Sequence, residues 1–539
     1  MGQNFVTAEP GQLFLLPPDA REWLPGRHLA WAVLEAAGEL EMAPFTAWYR
    51  ADGQGRPAYH PRLMVGLVMY CYCKGIRSSR AIEMATWDDV GARVICGNCH
   101  PDHATVARFV THHEQAVKGL LVQSLAACAK QGLVSVDVVA GDGTKVKASA
   151  SMAANATAAQ LEIEIGELEA LLAAEVETWF AQAQAADAAE DALPGGGDED
   201  GGPGAGGGTM TLARLTDKIV RRQKAKARLD GEAAGRQVQA TAAHQDKIAR
   251  LERRAARHQA RAARLEAEAA AKVADYARRA ADKAAAGSRK RPDGRVPAAP
   301  GDHCHVRRAR QDAQRAQAAL AQAAAAAAGP AAAGQDPPKA NTTDPASRVM
   351  PGKHGGFIQG YNVQVLGGRH QVIYAITTHD NPVDTGALHP LLDAGRANLD
   401  AAGLTDPIAK ALFDAGYASE ANFTTPAEAE LYVAVTREAR QTGRLADGKK
   451  PKTMKDSWRQ MAARLDTPEG KALYRQRAGI IEPVFAQLFG RLGRNLHYRD
   501  TKADLELHLW AASHNLLKAI RARARRAAAT PAPKLAPAS

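Results

Sequence analysis

The sequence is poor in aromatic residues and cysteines and lacks long apolar runs. Aromatic residues are 5% of the 539 positions although hydrophobic residues make up 46%, because alanine supplies much of that share. The six cysteines are irregularly spaced, which argues against a disulfide framework. The apolar run from Leu63 to Cys73 is too short to span a bilayer, and the first residues show no signal-peptide pattern. We therefore expect a soluble cytoplasmic protein, associated with the nucleoid, that does not bind membranes.

The chain carries an excess of positive charge. Its formal net charge is +11, and its isoelectric point is about 9.3. An acidic polymer such as DNA is therefore a plausible partner, although many basic proteins bind no nucleic acid.

Residues 1–130 have the pattern of an all-α domain, with apolar residues at three- and four-residue spacing in HLAWAVLEAAGEL and PRLMVGLVMYCYCKGI. Two further helices flank a break at 97–101, an arrangement typical of a helix-turn-helix unit but also of a plain helical bundle. Cys96, Cys99 and His100 match a c-type haem attachment motif, which we reject because no export signal is present. Zinc binding with His103 would crowd four ligands together, so free cysteines in a turn are the favoured interpretation.

Beyond this helical region the composition changes three times. A β-branched run in 131–155 ends at Asp142 and resumes after Gly143, which predicts the first strand of an α/β domain. Residues 156–340 form an Ala/Arg-rich insertion with heptad-like spacing, typical of a helical hairpin or coiled coil, with Gly-rich and Pro-rich linkers. Residues 341–522 complete the α/β domain, and 523–539 read as a basic disordered tail.

The pattern after the insertion predicts a hairpin with its turn at Gly367 and Gly368, a helix, a strand ending at Asp414, another strand and a final helical region. With the insertion set aside, this order matches a ribonuclease H-like fold, a mixed sheet flanked by helices. In that topology the strands of Asp142 and Asp414 are neighbours, and Glu482 lies on a helix above the same edge.

Three carboxylates at one sheet edge suit a particular chemistry. Mg²⁺ and Mn²⁺ are hard cations that prefer oxygen ligands. Two such ions can activate an attacking oxygen and stabilise a leaving one at phosphorus. Without cations the carboxylates would repel one another, so we expect a metal-dependent site that is poorly organised without metal.

Six motifs in order resemble the DDE transposases of bacterial insertion sequences, in the group with a Y-x-x-R signature before the glutamate. They are DGT at 142–144, TDPASRVM at 343–350, GYNVQ at 360–364, DAGY at 414–417, the signature from Tyr474 through Arg477 to Glu482 and Phe485, and HNLLK at 514–518. The resemblance extends to the amino-terminal helical region and excludes the insertion and the tail.

The resemblance implies that Asp142, Asp414 and Glu482 are catalytic and bind two Mg²⁺ or Mn²⁺ ions. It also implies that Tyr474 and Arg477 contact DNA phosphate, although Tyr474 could instead be a core aromatic. The implied partners are terminal inverted repeats and target DNA, with a homo-oligomer in the DNA complex.

One position departs from the family pattern. Relatives usually carry a lysine where this chain has Phe489, so Arg491, Arg494 or Lys502 would have to take its place at the DNA. Lys145 is a further candidate for DNA contact, or a solvated strand lysine. Asp384 is better explained as a helix cap than as a fourth ligand.

The leading functional hypothesis is a transposase that cleaves and joins DNA. The alternatives are a metal-dependent nuclease on the same fold and a catalytically impaired DNA-binding or assembly protein. The heptad-like insertion adds a hypothesis of self-association.

Overall fold

The structure, a computed structural model, describes residues 22–49, 57–191, 206–286, 290–292, 294–326, 337–352, 355–379, 381–435 and 455–529. Most of the expected Gly-rich and Pro-rich linkers, and residues 530–539 of the tail, lie outside these ranges. Within the described ranges, none of the helices combines the length and apolar character needed to cross a bilayer.

The amino-terminal region is helical. Its helices are α1 (Leu29–Glu39), α2 (Ala43–Thr46), α3 (Pro61–Cys73), α4 (Ser79–Asp88), α5 (Val90–Ile95), α6 (His103–His112) and α7 (Glu114–Lys130). Pro61 begins α3, and Ser78 and Asp102 cap α4 and α6 through their side-chain oxygens. Helix α3 is buried on nearly every face, which explains its continuous apolar run.

A six-stranded mixed sheet forms the centre of the α/β region. Its strands are β1 (Val138–Lys147), β4 (Arg348–Pro351), β5 (Phe357–Gly368), β6 (Ile373–His379), β7 (Lys410–Phe413) and β8 (Glu430–Val433). The order is β4-β5-β1-β7-β8, with β6 also paired to β5. Strands β1, β7 and β8 run parallel, whereas β5 is antiparallel to β1. This order and these directions are those expected of a ribonuclease H-like sheet.

Two local predictions about the strands were wrong. Asp142 does not end a strand, because β1 continues unbroken through it to Lys147. Gly367 and Gly368 do not form the hairpin turn but belong to β5, and the turn follows them, with Gln371 at a positive φ of 62°. A side chain at Gly368 would collide with the Tyr374 hydroxyl, so close packing explains this glycine.

The remaining helices of this region are α11 (Leu388–Ala401), α12 (Glu420–Thr424), α13 (Asp456–Asp466), α14 (Pro468–Tyr474), α15 (Gln476–Leu492) and α16 (Lys502–Ala529). Contacts group the described residues within 1–155 and 341–539 as one compact unit, so the amino-terminal helices pack with the sheet domain. A buried ion pair joins the two parts, with Arg77 Nη1 3.0 Å from Glu506 Oε1.

Residues 156–340 form the second unit, with helices α8 (Ala158–Asp191), α9 (Gly206–Ala285) and α10 (Cys304–Ala325). The chain enters and leaves it through a two-stranded sheet of β2 (Asn155–Thr157) and β3 (Lys339–Asn341). Alanines are buried at seven-residue intervals in α9 and α10, namely Ala255, Ala262, Ala269, Ala309, Ala316 and Ala323. The bond of Gln259 to Gln317 and the ion pair of Glu266 with Arg310 show that these helices pack antiparallel. The heptad pattern therefore serves packing within one chain.

The tail begins later than expected. Helix α16 continues through Ala529, so residues 523–529 are helical and not disordered. Alanine and arginine favour helices, and contacts made by Arg523 and Arg526 reinforce this last segment. Arg523 pairs with Glu35 and Glu39, and Arg526 donates to the Gln131 carbonyl.

The HNLLK motif anchors α16 to the β5–β6 turn. Asn515 accepts a hydrogen bond from the Ile373 amide and donates one to its carbonyl, at 2.9 and 2.8 Å. His514 Nε2 donates to the Gln371 carbonyl at 2.8 Å, and Lys518 Nζ donates to the Gln371 side chain. Burial lowers the pKa of His514 to about 3, and the positive charges of Lys518, Arg491 and Arg521 add to this.

This histidine makes stability pH-dependent. Below its ordinary pKa of about 6.5 the unfolded chain binds a proton that the folded chain excludes, so stability falls as pH falls from about 6.5 towards 3. We expect His514 to account for a loss of about 2 kcal/mol in unfolding free energy between pH 7 and pH 5. Urea unfolding of His514→Gln, which keeps the donor but cannot titrate, should lack that loss. The exposed control His370→Gln should retain it, and equal pH slopes in both variants would contradict the assignment.

Candidate active site

The sheet places Asp142 and Asp414 at the same edge. The parallel pairing of β1 with β7 joins Val138–Ala140 to Lys410–Leu412 and stops just before Asp142. Asp414 is the first residue after β7. The two strands therefore bring the two acidic residues near one another, and the charge of Asp414 acts on Asp142.

Asp414 is held by the backbone that follows it. Its Oδ1 accepts a hydrogen bond from the Gly416 amide at 2.6 Å, which begins a short 3₁₀ turn ending at Tyr417. The residue is 4% exposed. The Tyr417 hydroxyl donates to Gln364 Oε1 on β5, so the turn is tied to the neighbouring strand. These hydrogen bonds define the position of the carboxylate.

Asp142 forms an ion pair with Arg477 of α15. Arg477 Nη1 lies 3.2 Å from Asp142 Oδ2, and the two side chains are 7% and 17% exposed. Burial raises the pKa of Asp142 to about 6; Arg477 opposes this rise and Asp414 adds to it. The residue expected to bind DNA phosphate thus neutralises one of the expected metal ligands.

Glu482 does not join the two aspartates. It lies on the exposed side of α15, while Arg477, Ile481 and Val484 are buried on the other. No hydrogen bond or ion pair connects Glu482 to another described residue. In the part of the chain that the structure describes, no three His, Cys, Asp or Glu side chains are arranged to hold a metal ion.

The two aspartates still have the donor chemistry that a divalent cation requires. Both supply oxygen ligands in a buried setting. A Cβ on Gly416 would come within 2.8 Å of Asp414 Oδ1, so the absence of a side chain there leaves room beside the carboxylate. The donors therefore fit Mg²⁺ or Mn²⁺, but the structure does not assemble three ligands.

Asp384 is a polar residue of this edge whose role the sequence interpretation missed. The helix-cap prediction was wrong, because the residue before α11 is Ala387 and no side chain caps that helix. Instead, Asp384 Oδ1 accepts hydrogen bonds from Asn362 and Gln364 of β5, both at 2.8 Å. The sequence signal that pointed to this role was the GYNVQ motif, because it contains both Asn362 and Gln364.

The other expected DNA-contact residues differ in accessibility. Lys145 is partly buried. Its Nζ donates to the Pro382 carbonyl and lies 3.7 Å from Asp384 Oδ1. Tyr474 is 4% exposed within the hydrophobic core, as a core aromatic would be. Arg491 is mostly buried, and its Nη2 donates to Ser513 Oγ at 3.3 Å. None of these three presents a free charged group to DNA in this conformation.

Arg494 is exposed and contacts Phe489, the residue that stands where relatives usually carry a lysine. Its guanidinium carbon lies 4.1 Å from the centre of the Phe489 ring, which stacks in turn on Phe485. A cation held over an aromatic face keeps its charge available to solvent. Arg494 is therefore more accessible than Arg491 as a replacement for the missing lysine, and Lys502 is exposed as well.

The cysteine-containing break between α5 and α6 does not form a metal centre. His100 stacks on Trp87 and shares a hydrogen bond with Thr86, while His103 pairs with Glu83 at 2.8 Å. Cys96 is buried and Cys99 is exposed, and neither forms a disulfide.

Two family models match the chain. The Transposase domain (DUF772) model matches residues 18–112, and the Transposase DDE domain model matches residues 337–516. The fold and these matches define a DDE-type transposase domain joined to an amino-terminal transposase domain. The chain belongs to the DDE-type transposases of insertion sequences. Searches of curated proteins and of solved structures each found no significant match.

The DDE match contains Asp384, Asp414 and Glu482 but not Asp142, which precedes the insertion. The assignment of Asp142 therefore rests on the strand pairing and the DGT motif.

Removal of Arg477 should test the ion pair. In metal-free protein at neutral pH, Arg477→Met leaves Asp142 buried without a counter-charge, and we expect a loss of about 3 kcal/mol in unfolding free energy. The matched control is Arg475→Met, since Arg475 is exposed two positions earlier and should change stability by less than about 0.5 kcal/mol. In a double-mutant cycle with Asp142→Asn, measured by denaturant unfolding, additive effects would show that the pair is not coupled.

Proposed function

We propose that this transposase binds the terminal inverted repeats of its element, cleaves DNA at their ends and joins the freed end to target DNA. The observation that carries the proposal is the convergence of Asp142 and Asp414 at one edge of a ribonuclease H-like sheet. Glu482 is the third proposed catalytic residue, on the same helix as Arg477 and exposed to approaching DNA.

The proposed chemistry has two in-line displacements at phosphorus. Water attacks first, the bond from phosphorus to the 3′-oxygen breaks, and that oxygen takes a proton to become a 3′-hydroxyl. The hydroxyl then attacks a target phosphodiester, loses its proton and displaces the 3′-oxygen of the target strand. Two divalent cations, when bound, would activate the attacking oxygen and stabilise the leaving one. Asp142 and Asp414 would hold them, with Glu482 as a further ligand.

The proposal gives Arg477 two successive partners. In the DNA-free chain it neutralises Asp142. A DNA phosphate offers a planar guanidinium two oxygens in the same way as a carboxylate does. Binding of a DNA end would then free Asp142 Oδ2, and Arg494 would supply a second phosphate contact beside Phe489.

The catalytic assignment predicts loss of cleavage without loss of binding. Asp142→Ala, Asp414→Ala and Glu482→Ala should each reduce Mg²⁺-dependent cleavage of labelled element ends to background, because each removes an oxygen ligand. Gel-shift affinity for the same ends should stay within about three-fold, since base contacts are expected elsewhere. Asp393→Ala, an exposed acid on α11, is the matched control and should cleave normally. Retained cleavage in all three variants would refute the assignment.

A catalytically impaired DNA-binding protein is the second candidate. The outward position of Glu482 and the presence of Phe489 favour it. Tight end binding without metal-dependent cleavage, and without rescue by Phe489→Lys, would support this candidate. A nuclease on the same fold would cleave labelled ends but form no joined products.

A homo-oligomer in the DNA complex remains part of the proposal, because two ends must be held together. The insertion offers weaker support for it than its heptads suggested, since the alanines of α9 and α10 are buried against each other. Deletion of residues 160–330, followed by measurement of the mass in solution, tests whether the insertion forms the oligomer interface. An unchanged oligomer would exclude it.

A further inference from the structure

Helix α9 of the insertion carries arginines along one exposed face. They recur at alternating four- and three-residue spacing, all five are exposed, and together we call them the arginine stripe: Arg250, Arg254, Arg257, Arg261 and Arg264. At 3.6 residues per turn, the stripe lies roughly 120° around the helix from the buried Ala255 and Ala262. The stripe is therefore separate from the alanine seam through which α9 packs on α10.

Earlier in α9, positive charges are paired along the helix. Arg221 Nη2 lies 2.9 Å from Asp217 Oδ2, and Lys226 Nζ lies 3.3 Å from Asp230 Oδ2, with four residues between the partners in each case. Pairs of opposite charge at this spacing stabilise an exposed helix. The first part of α9 thus neutralises its solvated charges within the helix.

The arginine stripe has the reverse arrangement. Arg257 is followed four residues later by Arg261, and like charges at that spacing destabilise a helix. The single acidic residue within the span of the stripe is Glu252, which helical geometry puts on the opposite side of α9. Arg254, Arg257 and Arg261 form no hydrogen bond or ion pair with any residue that the structure describes. The stripe therefore carries a positive charge that the insertion does not neutralise.

The stripe ends where a counter-charge returns. Arg264 Nε lies 3.5 Å from Glu268 Oε1, four residues further along the same face. From Arg250 to Arg264 the helix rises about 21 Å, at 1.5 Å per residue. A partner that neutralises the stripe must therefore present several negative charges in a row over that length.

The surface beside the arginines narrows the choice of partner. Within the fully described stretch from Arg250 to Arg264, no large apolar side chain is exposed. The core of a protein interface and an interfacial membrane helix both need apolar side chains at the contact. Duplex DNA needs none, and it presents about one negative charge per 1.7 Å of its axis. The planar guanidinium group also binds two phosphate oxygens at once.

We propose that the arginine stripe of α9 binds the phosphate backbone of duplex DNA without reading its base sequence. This inference goes beyond the proposed function, because it needs neither cleavage nor recognition of the inverted repeats. It gives the insertion a role that lies outside both matched transposase domains. Phosphates would replace repulsion between neighbouring arginines with attraction, and the release of counterions would make the contact sensitive to salt.

The test measures binding of the full-length protein to a labelled random-sequence duplex, by fluorescence anisotropy over a series of salt concentrations. The combined variant Arg254→Gln, Arg257→Gln and Arg261→Gln should weaken binding about ten-fold or more near 0.1 M salt. The slope of log K against log salt should become shallower by about two to three, since each phosphate contact contributes about 0.9. Circular dichroism should show unchanged helix content, because glutamine and arginine favour helices about equally.

The matched control removes three charges from the paired part of the same helix. It combines Arg221→Gln, Lys226→Gln and Arg236→Gln, each at a residue with an ion-pair partner four positions away. The change in net charge is the same as in the stripe variant. We expect the DNA affinity of this control to stay within about two-fold of that of the unaltered protein.

A selective loss of affinity in the stripe variant supports the proposal. Unchanged affinity and salt slope in that variant overturn it, and so do equal losses in the stripe variant and the control, because net charge alone would then explain them. If the stripe variant alters the mass of the DNA-free protein but keeps its DNA affinity, the stripe binds a second copy of the chain and the proposal is wrong. The assay involves no cleavage, so failure of the proposed function would leave its result unchanged.

Discussion

The parallel pairing of β1 with β7 brings together two carboxylates that the chain separates by an entire helical unit. Only Val138–Ala140 and Lys410–Leu412 take part in it. Side chains alternate between faces along a strand, so a shift of one residue would move Asp142 to the other face of the sheet. The long antiparallel pairing of β1 with β5, from Val139 to Lys147, makes such a shift costly because the whole ladder would have to move.

The same pairing creates an electrostatic problem, because it buries acidic groups beside one another. Each carboxylate is balanced by a different donor of the protein: Arg477 for Asp142, the Gly416 amide for Asp414 and two β5 amides for Asp384. A buried charge without such partners is strongly destabilising. Arg477 and these amides therefore lower the cost of burying the acidic groups near one another.

The sequence was a good guide to what depends on local patterns. Apolar runs predicted β1, β7 and β8, and residues that immediately follow or interrupt such runs predicted Asp142 and Asp414. The partners of individual side chains could not be predicted in the same way. Arg477 reaches Asp142 only because α15 packs on β1 and β5, and the Asp384 side chain bonds to Asn362 of β5 instead of capping α11. These side-chain partners depend on tertiary contacts between residues that are far apart in sequence.

The insertion accounts for part of the scarcity of aromatic residues, because its helices pack through alanines. Between positions 156 and 340 the aromatic residues are Trp179, Phe180 and Tyr276, and the first two are largely exposed. Alanines at seven-residue intervals let α9 and α10 approach closely and bury their apolar surface against each other. The insertion thus has a core of its own and does not draw on that of the sheet. Because its ends pair as β2 and β3, β1 and the strands after the insertion can form one sheet whatever the length of chain between them.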